Sequence, residues 1–294
     1  MASFKLIKES LLLTGNKLPM IKRVFVTILI VAASVGLKAQ YYYNEIVNNK
    51  AVLAELAMLK EKKIKGVKVL SLESTGAASE GFTCQKKINR DFTEVEIYTE
   101  TNESYPNTFI SSFDKAGLLQ RTIDSSEAGA TTIDYRYDGA GRLVSIISSK
   151  HFSEADAGFS NEQHLYQYNS AGILQQMRLV KNNRDSTLYI FEADEAGNII
   201  IEKNAKTGEL YYYYYDLKNR LTDVVHSYNL QKSLFSEFTF EYNHEGQVTK
   251  MVTSEKEGAY FFTWRYNYED GLRRNERCYS KEGRLLGTVE YEYK

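Results

Sequence analysis

The sequence contains almost no proline: Pro19 and Pro106 are the only two in 294 residues. Proline cannot donate a hydrogen bond within a β-ladder, so its absence after residue 106 suits long, uninterrupted strands. Histidine is also scarce. The four histidines are His151, His164, His226 and His244. None of them has a second potential metal ligand at the spacing of a known metal site. The sequence therefore predicts no metal site.

Catalytic signatures are missing as well. The sequence has no Gly-x-Ser-x-Gly motif, no phosphate-binding glycine loop and no His-Glu-x-x-His motif. We therefore expect a non-enzymatic protein, with no catalytic residues, no cofactor-binding residues and no cofactor. One alternative stays open, a carbohydrate-active hydrolase that gathers carboxylates such as Glu290 and Glu292 in a concavity of a sheet.

The only two cysteines, Cys84 and Cys278, lie far apart in the sequence. Two cysteines give no framework of spacings from which a disulfide could be inferred. A disulfide between them and a pair of buried free thiols both remain open.

Residues 1–39 contain the pattern of a secretion signal, with Met20 as the better start. Lys22 and Arg23 precede an apolar run over residues 24–35, and Ala39 provides a small residue at the predicted cleavage position. The protein is therefore expected in the periplasm, on the cell surface or secreted. Cleavage would leave 31 basic and 37 acidic residues. This acidic balance disfavours nucleic-acid binding, and no stable membrane span is expected after cleavage.

A short motif recurs through the second half of the chain. The segment Tyr137-Asp-Gly-Ala-Gly-Arg-Leu143 returns in degenerate form about every 25 residues, which fits two strands and two turns. Aspartate or asparagine accepts a backbone hydrogen bond at the start of a turn, and glycine or asparagine tolerates positive φ at its end. The predicted turn residues, all structural, are Asp114, Gly117, Asp138, Gly141, Asn169, Gly172, Asp194, Gly197, Asp216, Asn219, Asn243 and Gly246.

The residues before each turn alternate between aromatic and polar, which predicts strands with one buried face and one wet face. Tyr211, Tyr213 and Tyr215 follow this rule as buried residues. Tyr212 and Tyr214 break it, because they place aromatic rings on the polar face. These two tyrosines are the predicted binding surface, since tyrosine is enriched at interfaces.

The region before the repeats has a different pattern. Apolar residues at helical spacing predict one amphipathic helix from Asn44 to Lys63. Strands are expected at 67–73, 81–88, 92–101 and 108–113. The predicted organisation is a secretion signal at 1–39, a helix with the first strands at 40–107 as an N-terminal cap of the sheet, and a hairpin-repeat domain at 108–294.

The motif at residues 137–143 resembles that of the YD-repeat, or Rhs-like, family of proteins, and residues 215–221 match it with one change. The resemblance covers about residues 108–294 and implies an antiparallel meander of hairpins in a curved or spiralling sheet. Larger family members enclose toxins, but this chain has too few repeats to close a shell and no toxin domain after them.

The expected fold is therefore mainly β, with one N-terminal helix. The expected function is a binding or structural scaffold in the cell envelope. Its partner would be an envelope protein or a glycan, and an open sheet could also associate with itself through its edges.

Overall fold

The computed structural model describes residues 41–102, 104–127, 129–152, 159–227, 234–255 and 260–294. The predicted secretion signal at 1–39 lies outside the described residues. Within these ranges the chain forms a π-helical segment (Tyr42–Val47), the helix α1 (Asn48–Glu61) and eighteen strands. The strands are β1 (Gly66–Glu73), β2 (Thr83–Ile88), β3 (Glu94–Thr101), β4 (Ser104–Phe113), β5 (Leu119–Ser126), β6 (Gly129–Tyr137), β7 (Leu143–Phe152), β8 (Phe159–Tyr168), β9 (Leu174–Lys181), β10 (Asp185–Ala193), β11 (Ile199–Asn204), β12 (Leu210–Tyr215), β13 (Leu221–Ser227), β14 (Leu234–Tyr242), β15 (Val248–Glu255), β16 (Tyr260–Glu269), β17 (Leu272–Tyr279) and β18 (Leu285–Tyr293).

All eighteen strands form one antiparallel sheet, in which each strand pairs with its neighbours in sequence. The sheet closes into a barrel because β1 pairs with both β2 and β18, with Val67 opposite Tyr293. The mainly-β fold and the single N-terminal helix are confirmed, whereas the expected spiralling sheet is replaced by a closed barrel. Closure follows from β1, which lies ahead of the recognisable repeats and supplies the partner that β18 would otherwise lack.

The closed barrel leaves every described strand with a neighbour on each side. Self-association through sheet edges would therefore require the barrel to open. The two cysteines are free and buried. They lie on β2 and β17, which are separated in the sheet by β1 and β18.

The π-helical segment and α1 together form one helical region, Tyr42 to Glu61. It begins two residues before the predicted helix, Asn44 to Lys63, and ends two residues before that helix ends. It lies inside the barrel rather than over an edge. Tyr41 and Ile46 belong to a buried cluster with inward residues of β7–β14, whereas Leu56 and Leu59 pack among residues of β1–β5 and β18. The helical region therefore bridges the two sides of the interior.

The alternation of aromatic and polar residues holds along the strands. Tyr211 and Tyr213 are each only 1% exposed and belong to the main core cluster. Outward residues form cross-strand ion pairs, such as Arg121 with Asp134 at 2.6 Å. Within the described ranges, no helix has the length and apolar character needed to cross a membrane.

The repeated turns share one hydrogen-bond pattern. At Asp138, the side chain accepts hydrogen bonds from the amides of Ala140 and Arg142, and the amide of Gly141 donates to the carbonyl of Asp138. The fourth turn residue has positive φ in each copy, including 74° at Gly141 and 57° at Asn219. The sheet also has a β-bulge at the residue before each of these turns, as between Arg136 and Tyr137.

The structure also explains why the anchor before each turn is so often tyrosine. In five copies, the anchor hydroxyl donates to a backbone carbonyl of an earlier repeat. That carbonyl lies at the start of the strand that follows the turn of the earlier repeat. The pairs are Tyr168 to Leu143, Tyr215 to Ile199, Tyr242 to Leu221, Tyr268 to Val248 and Tyr293 to Arg273. Phenylalanine would fill the same space without making this link between repeats.

Two glycines of one turn provide a test of the positive-φ requirement. Replacing Gly141 with alanine should destabilise the fold by about 1–2 kcal/mol, because a Cβ is disfavoured at a φ of 74°. Gly139 lies in the same turn without positive φ, and a Cβ at this position would meet open space. Gly139→Ala should therefore be neutral or slightly stabilising. Urea denaturation of both variants measures the difference, and equal losses would contradict this account of the turn.

Candidate binding surface on the outer wall

The predicted surface residues Tyr212 and Tyr214 lie on β12 and point to the outside of the barrel, because their neighbours Tyr211 and Tyr213 are buried inside. Tyr214 is 50% exposed, and Tyr212 is partly buried among its outward neighbours. The structure therefore places both rings on the same outer face of one strand.

Apolar residues on the adjacent strands extend this surface. Tyr212 pairs with Ile201 on β11 and with Val225 on β13. Ile190 on β10 is 39% exposed and lies diagonally beside Ile201, since Glu192 is the direct partner of Ile201. We call these residues the outer tyrosine patch: Ile190, Ile201, Tyr212, Tyr214 and Val225.

Charged residues border the outer tyrosine patch. Asp223 is directly opposite Tyr214, and Lys203 is directly opposite Ile190. An apolar centre with a polar surround is the arrangement found in protein interfaces, where aromatic residues are enriched and charges lie at the rim. Ile190 and Tyr214 are exposed, and the other three residues of the patch are partly buried.

The sequence-predicted turn residues lie in the hairpin connections at one end of the barrel, and Asp216 and Asn219 belong to the turn that directly follows β12. The aspartate and asparagine side chains accept hydrogen bonds within the turn. The Asp216 carboxylate accepts from the side chain and the amide of Arg220, which lower its pKa to about 2. Glu290 and Glu292 lie on the outer wall of β18, opposite Leu70 and Lys68 of β1. They are not gathered in a concavity.

The sequence did not reveal the charged groups that the fold buries around the helical region. Glu202 accepts hydrogen bonds from the amides of Tyr41 and Tyr42 at 3.0 Å and from the hydroxyl of Tyr213 at 2.6 Å. Burial raises the pKa of Glu202 to about 7, although these donors lower it. This carboxylate binds the start of the helical region to β11.

A second buried group joins the helical region to β8. Nδ1 of His164 lies 2.6 Å from Glu45, and Nε2 lies 2.8 Å from Glu162. Burial alone would lower the pKa of His164, but the two carboxylates outweigh it and raise the pKa to about 9. Tyr166 also hydrogen-bonds Glu45. The alternating aromatic pattern marked position 164 as inward, but no local pattern indicated that Glu45 would meet it.

A third buried group lies on β12–β14, where His226 is fully buried. Its Nε2 lies 2.6 Å from Glu209, its Nδ1 lies 3.1 Å from Glu237, and its ring stacks on Tyr211 at 4.2 Å. The described part of the chain contains no group of three or more histidine, cysteine, aspartate or glutamate residues arranged to hold a metal ion. The interior carboxylates thus serve as hydrogen-bond partners of histidines, tyrosines and backbone amides.

Comparisons with known proteins identify distant similarities. No protein-family model matches the sequence. Teneurin-4 from Homo sapiens and from Mus musculus are each 25% identical over 182 residues, covering 56% of this chain and 6% of theirs. This chain therefore corresponds to a small part of those relatives.

Similar solved structures include a porin-like protein from Bacteroides uniformis, with a TM-score of 0.38 and 10% identity over 79% of this chain and 98% of that one. The TcdB2-TccC3 structure aligns with a TM-score of 0.29 and 12% identity over 80% of this chain and 17% of that one. Similarity at these levels assigns neither a family nor an activity to this chain.

Proposed function

We propose that this chain is an exported, non-enzymatic protein of the YD-repeat type, which acts as a binding scaffold in the cell envelope. Its partner is a protein that docks on the outer tyrosine patch. The observation that carries the proposal is the pair of outward tyrosines, Tyr212 and Tyr214, on a wall whose other outward positions are largely polar.

The shape of the patch favours a protein over a small ligand. Small molecules bind in concave sites that bury most of their surface. The outer tyrosine patch instead lies on the outside of a closed barrel, where the aliphatic side chains of Ile190, Ile201 and Val225 flank the rings. A partner with its own apolar residues would bury these side chains, with Lys203 and Asp223 available at the rim.

Support for the YD-repeat assignment comes from the turns and from the tyrosine anchors. The turn after Tyr137 and the turn after Tyr215 share the same side-chain and backbone hydrogen bonds. Export is supported by the order of charged, apolar and small residues at 20–39. Export would bring the barrel outside the cytoplasm, where a scaffold can meet envelope proteins.

The test is capture of the partner from the native envelope. The tagged full-length protein is expressed in its source cells, mildly crosslinked and purified, and bound material is identified by mass spectrometry. We expect a specific protein in stoichiometric amount with the wild type, and at least tenfold less with Tyr212→Ser/Tyr214→Ser. The matched control is Tyr105→Ser/Tyr260→Ser, which alters tyrosines that are 64% and 46% exposed on β4 and β16, outside the patch.

Three results would contradict the proposal in different ways. Equal recovery with both double variants would remove the outer tyrosine patch as the site. Recovery of a glycan without a protein would replace the partner class. Recovery of the protein alone would remove the binding role and would make an activity screen the next experiment.

A further inference from the structure

A cleft lies at the end of the barrel where the repeated turns are found. One side is a face of α1 formed by Leu53, Leu56, Ala57 and Lys60, which recur at helical spacing. The other side is formed by two hairpin turns, at residues 91–92 and 114–117. The cleft has a volume of about 250 Å³. None of its residues belongs to the outer tyrosine patch.

Phe92 forms part of the cleft wall in a backbone conformation that phenylalanine rarely adopts. Its φ is 58°, and its amide donates to the carbonyl of Asn89, so it occupies the turn position held by Gly117 and Gly141 in other hairpins. A non-glycine residue in this region costs of order 1–3 kcal/mol. The backbone of this turn is therefore strained, and the residue that carries the strain places an aromatic ring beside the cleft.

The Phe92 ring is also held in place by its surroundings. The Lys65 ammonium lies 3.1 Å from the ring centroid and donates to the carbonyls of Asn89 and Arg90. The ring packs against the core cluster that contains Leu56. These contacts fix the position of the Phe92 ring before a ligand binds, which reduces the entropy lost on binding.

Two cationic and two anionic side chains line the cleft. In the described part of the chain, neither the Lys60 nor the Lys115 ammonium has a carboxylate within 4 Å. Asp114 also lines the cleft, but its carboxylate accepts hydrogen bonds from the Leu118 amide and the Gln120 side chain. Asp91 is left as the one carboxylate not engaged in this way.

We propose that this cleft binds a small amphiphile with an apolar body and a single anionic head. The body lies against Leu53, Leu56 and Phe92, and the head meets Lys60 and Lys115. An apolar cavity of about 150 Å³ accommodates benzene, so a cleft of this volume accommodates about ten non-hydrogen atoms. An eight-carbon carboxylate has this size and both chemical features.

The experiment titrates the purified protein with sodium octanoate, below its micelle-forming concentration, and with 1-octanol by isothermal calorimetry. We expect saturable binding of octanoate, and at least tenfold weaker binding of the uncharged alcohol. Ala57→Trp fills the cleft from an exposed helix position and should abolish binding. Ala54→Trp, a matched change at an exposed position of the same helix that does not line the cleft, should leave binding unchanged.

A second pair of variants tests the charges. Lys60→Gln/Lys115→Gln should weaken octanoate binding at least tenfold, whereas Lys50→Gln/Lys62→Gln alters two exposed lysines outside the cleft and should not. Absence of saturable binding, or equal binding by the two tryptophan variants, would overturn the site. Equal affinity for octanoate and octanol would overturn the anionic head. These results are independent of partner capture by the outer tyrosine patch.

Discussion

Replacing Tyr213 with alanine is expected to lower the free energy of unfolding by about 3–5 kcal/mol, as for other buried large aromatic residues. The ring is 1% exposed and packs edge-on against Tyr42, with 5.1 Å between ring centroids. Its hydroxyl donates to the buried Glu202 carboxylate. The truncation therefore opens a cavity and also removes a donor from a buried carboxylate, which adds to the cost.

Tyr214 is the matched control for this experiment. It is the next residue on the same strand, but its ring faces outward and is 50% exposed. Tyr214→Ala should change the free energy of unfolding by no more than about 1 kcal/mol. Chemical denaturation of both variants measures the contrast. If Tyr213→Ala does not fold, Tyr213→Phe removes the hydroxyl alone and should still cost about 1–3 kcal/mol. Equal stability of the two alanine variants would contradict the inward placement of Tyr213.

Stability is expected to fall as the pH rises from about 6.5 to 9, by roughly 2–3 kcal/mol through His164. The folded protein holds the His164 proton more tightly than the unfolded chain, because Glu45 and Glu162 raise the pKa to about 9 against the effect of burial. The stabilisation is complete below the unfolded pKa and is lost as the pH passes the folded value. Glu202 acts in the same direction at lower pH, since its pKa is raised to about 7 by burial.

Histidine variants isolate the contribution of His164. Denaturation of His164→Gln across the same pH range should give a flatter dependence than the wild type, because the titrating ring is absent. His244→Gln should reproduce the wild-type dependence, since the His244 side chain is 89% exposed. His226, whose pKa is raised by Glu209 and Glu237 despite burial, would account for the decline that remains in His164→Gln. An unchanged slope in His164→Gln would contradict this assignment.

Local features of the fold could be predicted from the sequence because they depend on neighbouring residues. Alternation identified the inward Tyr211 and Tyr213 and the outward Tyr212 and Tyr214. The turns were identified by aspartate and glycine at fixed spacing, as at Asp138 and Gly141. The motif did not predict two further turns with the same backbone hydrogen bond. One ends at Phe92, where the motif has glycine, and the other begins at Ser280, where the motif has aspartate or asparagine, and ends at Gly283.

The remaining features depend on residues far apart in the sequence, which no local pattern reports. Closure requires β1, whose sequence lacks the repeat motif, to pair with β18. The helical region fills the interior rather than covering an edge. Tyr42, from the helical region, packs against the main core cluster, and its phenol lies near Tyr215 and the carbonyl of Ile199. The helical region therefore adds an aromatic ring to a core that the repeats otherwise supply.

The pairing of β1 with β18 also constrains the order of folding. Each hairpin from β2 to β18 can form from adjacent strands with short loop closure, and such local contacts form quickly. The pairing of β1 with β18, in which Val67 lies opposite Tyr293, instead joins two strands that are distant in sequence. As the chain is made, β1 stays unpaired on one side until β18 has been synthesised. During that interval the unpaired side of β1 is open to pairing with other chains, so misassembly would begin at this strand.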